Sequence, residues 1–261
     1  MTNNIIAISN QKGGVGKTTT AVTVATELAL NGHKTLIIDC DTQANTTSSF
    51  GIIPNENSSI YDILINNKQI NRVIQKTSVK LLSILPSNNN LLAAEIELVD
   101  ITNREGLLKK QIESIKDQYK YIIIDTPPAL GILTLNCLTA SKWVLIPMQV
   151  EYFALEGLNN LMNTIGLIKQ KVNINISVLG IILTMFDKRN KLSFEIEEQI
   201  ERYYGEMLLG NIPRSIRLAE APSHGVPIQE YDNSSSGAKA YNQIVTKIIK
   251  VIDEKNRGLN G

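Results

Sequence analysis

Gln11-Lys12-Gly13-Gly14-Val15-Gly16-Lys17-Thr18-Thr19 is the stretch on which the reading of this chain turns. A short apolar run, Ile5 to Ile8, precedes it, and the alanine- and leucine-rich stretch Ala21 to Leu30 follows. Strand, glycine loop and helix in that order is what a phosphate-binding loop needs. Glycines let the backbone curl until successive N–H groups point at one anion. A helix starting near Thr18 aims its positive end at the same spot. In this geometry Lys17 reaches the β- and γ-phosphates, and the Thr18 hydroxyl ligates Mg²⁺. A plain glycine turn with two solvated lysines would not need a strand before it and a helix after it.

One position departs from the common pattern. Where a glycine usually opens the loop there is Gln11, with a second lysine, Lys12, beside it. Lys12 stands too early in the loop to curl back onto its own nucleotide, and a nucleotide held by a facing subunit is within its reach. The Lys-Gly-Gly-x-Gly-Lys-Thr-Thr form resembles the deviant phosphate loop of the partitioning and septum-positioning ATPases, a group that includes the nitrogenase iron proteins.

The rest of the chain alternates strand-like and helix-like runs. Strands are predicted at Thr35–Ile38, Leu81–Leu85, Tyr121–Ile124, Trp143–Pro147, Ile176–Thr184 and Leu208–Ile212. Helices are predicted at 60–65, 70–74, 91–99, 105–116, 155–170, 192–204 and 237–254. The stretch 46–59, rich in Ser, Asn, Gly and Pro, reads as loop. Continuous apolar strands separated by helices predict an α/β fold, a doubly wound, mainly parallel sheet with helices on both faces. With 261 residues and no linker or repeat, the expectation is one ATPase domain over residues 1–261. A net charge of +1 makes any basic site a local patch. Cys40 and Cys137 form no disulfide framework and no metal spacing, and read as packing residues. No leader and no bilayer-length apolar run is apparent, so the expected location is the cytoplasm.

In such sheets the ligand lies beyond the carboxyl ends of the strands, where Asp39, Asp41 and Asp125 all fall. Asp125 follows four apolar residues, as a Walker B acid does, and is expected to hold Mg²⁺ through water. Asp39 and Asp41 are two apart, so in extended chain both face the metal and the attacking water. Each acid alone has an ordinary alternative as a cap or turn residue; three together at strand ends do not. Thr126-Pro127-Pro128 stops the strand, and Gly131 would let the segment swing when the γ-phosphate leaves. His33 reads as a solvated turn residue, and His224 has no catalytic role.

Longer stretches resemble the ParA/Soj-type chromosome- and plasmid-partitioning ATPases: Leu85–Asn88, Glu95–Leu98, Tyr121–Pro128, Gln149–Gly157, Leu183–Asp187 and Ile212–Gly225. The resemblance runs from residue 4 to about residue 250. It implies an ATP- and Mg²⁺-dependent homodimer in which Lys12 crosses to the partner's phosphates like an arginine finger. It further implies that Asp41 is the hydrolytic aspartate and that Pro213 and Ser215 border the base, beside the residue-level expectation that Gly13, Gly14, Val15, Gly16, Lys17, Thr18 and Thr19 cradle the phosphates and that Thr18, Asp39 and Asp125 serve the metal. Non-specific DNA would be gripped by Arg189 and Arg217, within a basic set that also holds Lys188, Arg214, Lys239, Lys247 and Lys250. A ParB-type centromere-binding partner would stimulate an otherwise slow hydrolysis, since no general base is evident.

The family's Asp-Pro-Gln-Gly-Asn stands here as Asp41-Thr42-Gln43-Ala44-Asn45, and its usual Asn is Ser215. A membrane-surface positioning ATPase without DNA binding is the alternative, using the apolar face of the last helix. A helix packed on the sheet is the better reading of that face, because its polar side is only sparsely basic. An iron–sulfur relative would need two correctly placed cysteines, and at most one candidate is present.

Overall fold

The computed structural model describes residues 4–54 and 56–258. The first half runs β1 (Asn4–Ile8), α1 (Lys17–Leu30), β2 (Thr35–Asp39), α2 (Asn45–Ser48), α3 (Ile60–Leu64), β3 (Gln75–Lys76), β4 (Leu82–Leu85), α4 (Leu91–Glu97), α5 (Leu107–Glu113) and β5 (Tyr121–Asp125). It continues with α6 (Ile132–Ala140), β6 (Trp143–Gln149), α7 (Ala154–Lys171), β7 (Ser177–Phe186), α8 (Lys191–Tyr204) and β8 (Leu208–Pro213). Three helices close it: α9 (Ile216–Glu220), α10 (Ile228–Asp232) and α11 (Ser236–Gly258).

All the strands join one eight-stranded sheet of order β3-β4-β2-β5-β1-β6-β7-β8. Every pairing is parallel except β3 with β4. Side chains along a strand alternate between faces. Ile6, Ile8, Ile37 and Ile123 therefore pack with α1, α10 and α11 on one side. Leu36, Ile38, Ile122 and Ile124 pack with α3 to α6 on the other, and Ala7, Val144 and Ile146 with α7 and α8. Both faces are covered, which is why these strands read as unbroken apolar runs. The expected doubly wound fold is the one observed.

Two features of the sheet place the site. β5 inserts between β2 and β1, so the chain winds outward in both directions from β1, and the loop after β1 opens at the switch point. The register pairs Ile8 with Asp125 and Asp125 with Asp39, so three strand ends finish level.

Several local expectations are corrected. Strand β4 starts at Leu82, because Leu81 adopts a left-handed backbone (φ 69°) that no strand tolerates. The stretch after Asp41 is not all loop, since α2 forms there. Helix α6 lies where no element was expected: its sequence ILTLNCLTA is buried almost all round and carries no amphipathic period. Strand β3, only two residues long, was also missed. His33 is half-buried and packs edge-on against Tyr121 at 5.3 Å, and burial lowers its pKa. The apolar face of α11, including Tyr241, Ile244, Val245, Ile248 and Ile252, is buried in the core.

Candidate active site

The loop between β1 and α1 curls through Gly14 (φ 74°) and Gly16 (φ 87°), left-handed positions at which a side chain is strained. Gly16 is the residue before the first turn of α1, so the helix opens directly into the loop with no side chain capping it. Free first-turn amides at such an end favour an anion. Thr184, near the end of β7, braces the loop by donating its hydroxyl to the Val15 carbonyl at 2.8 Å.

Lys17 is buried and turns inward, its Nζ donating to the Lys12 carbonyl at 2.9 Å. Burial lowers its pKa, while the carboxylates of Asp125 and Asp41 act the other way. Lys12 is exposed and turns outward, its ammonium paired with Glu151 in the turn between β6 and α7. The two lysines of the motif therefore diverge, one into the loop and one away from it.

Asp125 accepts from two hydroxyls through the same oxygen, Oδ2: Thr18 at 2.8 Å and Thr46 at 2.7 Å. Its other oxygen, Oδ1, is buried and has no hydrogen-bond partner. A buried carboxylate oxygen left unpaired beside a threonine hydroxyl at the helix N-terminus suits a hard cation such as Mg²⁺. Burial, and then the nearby Asp39 carboxylate, push the Asp125 carboxyl up to about 7. Among the described residues no three acidic, histidine or cysteine side chains converge as a metal cage. A site for Mg²⁺ here would draw most of its ligands from phosphate and water, the usual habit of that ion.

Asp39 behaves differently from the expectation of a carboxylate facing the metal. Its Oδ1 accepts the Asp41 N–H at 3.1 Å, and its Oδ2 accepts from the Thr47 N–H at 2.8 Å and the Thr47 hydroxyl at 2.7 Å. Capturing the Asp41 amide turns the chain at the end of β2, so Asp39 and Asp41 do not share one extended face. Burial raises the Asp39 carboxyl to about 6, partly opposed by the bonds from Thr47 and Asp41. Asp39 is thus a buried buttress for the strand-end turn. Asp41 is also buried, its Oδ1 accepting from the Gln43 amide at 3.0 Å and its carbonyl from the Ser87 hydroxyl at 2.8 Å. Thr46, Thr47, Ser87 and Glu151 all touch this site, and the sequence assigned none of them a role. Serine and threonine are too common in loops for that pattern to signal a hydroxyl network.

A cavity of about 240 Å³ adjoins the loop, bordered by Gly16, Thr19, Met185, Pro213 and Ser215. Pro213 and Ser215 thus reach the rim of the space beside the phosphate loop. Val15 is buried, while Gly13 and Gly14 are exposed. Arg189 and Arg217 lie apart from the loop on the surface. Arg189 forks onto Asp187, with bonds of 3.0 and 2.8 Å. Arg217 pairs with Glu220 at 3.1 Å, approaches Asp232 at 3.7 Å and lies over the Tyr231 ring. Cys40 and Cys137 are free and buried, and burial raises the Cys40 thiol.

A glycine loop at the sheet's switch point, an inward lysine and a level row of strand-end acids define a phosphate-loop protein of the doubly wound α/β class. A family model described as an AAA domain matches residues 3–178. The sporulation initiation inhibitor protein Soj of Bacillus subtilis is 45% identical over 246 residues, covering 94% of this chain and 97% of that protein. The chromosome-partitioning ATPase Soj of Treponema pallidum is 45% identical over 241 residues, covering 92% of this chain and 94% of that protein. Among solved structures, a plasmid partition protein of Borrelia burgdorferi superposes with a TM-score of 0.79 at 30% identity, over 96% of this chain and 99% of that one. Cobyrinic acid a,c-diamide synthase of Mycobacterium smegmatis, with bound ATP analog and magnesium, has a TM-score of 0.83 at 30% identity, over 95% of each chain. The chain belongs to the Soj/ParA family of chromosome-partitioning ATPases.

Proposed function

We propose that this protein is a Mg²⁺-dependent ATPase switch that segregates a chromosome or plasmid. ATP closes a homodimer, the dimer binds DNA without sequence preference, and a ParB-type partner stimulates hydrolysis and release. The observation that carries this reading is the divergence of the two loop lysines. Lys17 turns into its own loop, while Lys12, exposed and paired with Glu151, turns away from it, which supports a role for Lys12 toward a phosphate in a facing copy.

Phosphoryl transfer depends on positioning and on stabilising charge. The loop amides from Gly13 to Thr19 and the Lys17 ammonium hold the β- and γ-phosphates. Asp41 orients the attacking water, held by its bonds to Gln43 and Ser87. Lys12 of the second copy offsets negative charge that builds on the bridging oxygen. Thr18 and Asp125 would hold Mg²⁺, which when bound neutralises the phosphate oxygens. Pro213 and Ser215 would border the base.

DNA contact is supported by the basic set around the end of β7 and the start of α11, where Lys188 and Lys239 line a groove of about 510 Å³. Arg189 and Arg217 would exchange their acidic partners for phosphates, an exchange that salt opposes. Nucleoid association in the cytoplasm follows from DNA binding. The membrane-surface alternative loses its main element, since the apolar face of α11 is spent on the sheet.

The test compares the parent with Lys12→Ala and Asp41→Ala in ATP-dependent dimerisation, hydrolysis and co-sedimentation with DNA or liposomes. Lys12→Ala should still bind ATP and lose about 10³-fold of partner-stimulated turnover, as removal of a trans cation does. Asp41→Ala should form a dimer that persists on DNA. A parent that remains a single subunit with ATP and Mg²⁺, or that sediments with liposomes and not DNA, overturns the proposal.

A further inference from the structure

Lys12 and Glu151 meet across the mouth of the phosphate loop. The Lys12 backbone is tied down, its N–H donating to Asn10 Oδ1 at 3.1 Å while Asn10 Nδ2 donates to the Pro147 carbonyl at 2.8 Å. The start of the loop and the end of β6 are therefore one piece, and only the Lys12 side chain is free to choose a partner. That partner is the Glu151 carboxylate, in the turn that follows β6. Both side chains keep contact with solvent, 53% and 31% exposed, so the pair can open without unfolding anything.

We propose that Glu151 is a positioning residue that parks Lys12 within its own subunit until the triphosphate of a second copy displaces the carboxylate. This rests on the reading that Lys12 serves in trans. Both competitors for the ammonium are anions. A triphosphate carries more charge than a single carboxylate and takes the lysine when it arrives; when the dimer opens after hydrolysis and the facing phosphates withdraw, the carboxylate takes it back. An exposed ion pair is a weak restraint, which suits a latch that must open in every cycle.

The experiment uses the full chain as parent, Glu151→Gln and Glu151→Asp. Acylation of Lys12 by a soluble amine reagent is followed by peptide mass in nucleotide-free protein, and the ATP concentration at half-dimerisation by light scattering. Glu151→Gln should raise Lys12 acylation and lower the dimerisation midpoint, each about two- to five-fold at low salt. Glu151→Asp, which keeps the charge, should fall between it and the parent. The difference between parent and Glu151→Gln should shrink at about 0.5 M salt, where the parent's own pair is screened. ADP binding to single subunits should not change.

Unchanged acylation overturns the parking role whatever the dimer does. A raised midpoint overturns it too, because Glu151 would then be holding the closed dimer together. Acylation that rises in a protein that never dimerises removes the trans reading, and with it the release by a second copy, and leaves only the resting Lys12–Glu151 pair.

Discussion

The rim where the strands end has two halves built on opposite principles. On the side of β2 and β5, Asp39 and Asp125 are fully buried and are met by Thr18, Thr46, Thr47 and the Asp41 amide. On the side of β6 to β8, charged groups in contact with solvent pair with one another: Lys12 with Glu151, Arg189 with Asp187, Arg217 with Glu220. Buried hydrogen bonds to a charge hold one geometry and are costly to break. Exposed ion pairs contribute little and exchange easily. The first half suits chemistry, which needs groups already in place. The second suits partners that come and go.

Thr47→Val strikes the rigid half hardest. It removes a hydroxyl that donates to Asp39 at 2.7 Å and accepts the Ser87 N–H at 2.9 Å, leaving that buried amide unpaired. Urea unfolding should show a loss of about 3 kcal/mol. The same loss from an Arg189→Ala or Arg217→Ala change would erase the contrast between the halves.

Acidity sharpens it further. Burial raises the Asp39 and Asp125 carboxyls to about 6 and about 7 in the folded chain, against an ordinary value near 4 when unfolded. The folded state thus holds more protons than the unfolded one between pH 4 and 7. Their contribution to stability is fully present below pH 4 and is lost as pH rises through 6 to 7. At the proposed site, Mg²⁺ binding would run the other way, because it would need Asp125 ionised. Mg²⁺-dependent ATP affinity, measured by calorimetry and corrected for protonation of the nucleotide, should rise about ten-fold from pH 6 to pH 8. A flat profile would mean that the buried acids are already charged.

The smallest effect concerns Ala44, which sits left-handed (φ 51°) at the end of the Asp41 turn, where the resemblance expects glycine. Ala44→Gly should stabilise the protein by about 0.5 kcal/mol or somewhat more in thermal unfolding, by removing a Cβ that crowds this backbone. No gain would show that the strain is absorbed by the Ala44 N–H bond to the Asp41 carbonyl at 3.0 Å.

Much of this was legible beforehand, for reasons particular residues make plain. Strands such as Leu36–Ile38 and Ile122–Ile124 are apolar without a break because helices cover both faces. The loop from Lys12 to Thr19 announces itself because few backbones other than a phosphate cradle need glycines so spaced. Helix α6 was not legible, since a helix buried on nearly every side shows no period. Nor was the role of Asp39: an acid at a strand end looks the same in sequence whether it faces a metal or braces a turn.

By itself the sequence determined the layered α/β fold, the phosphate loop and the family, because these rest on local periodicity and contiguous motifs. Tertiary structure alone decided which oxygen of Asp125 is left open, that Thr46 and Thr47 fasten the acids, and that Lys12 lies against Glu151. Those contacts join residues 8 to 139 positions apart: the turn after β2 brings Thr47 back to Asp39, and the level ends of neighbouring parallel strands bring the distant pairs together.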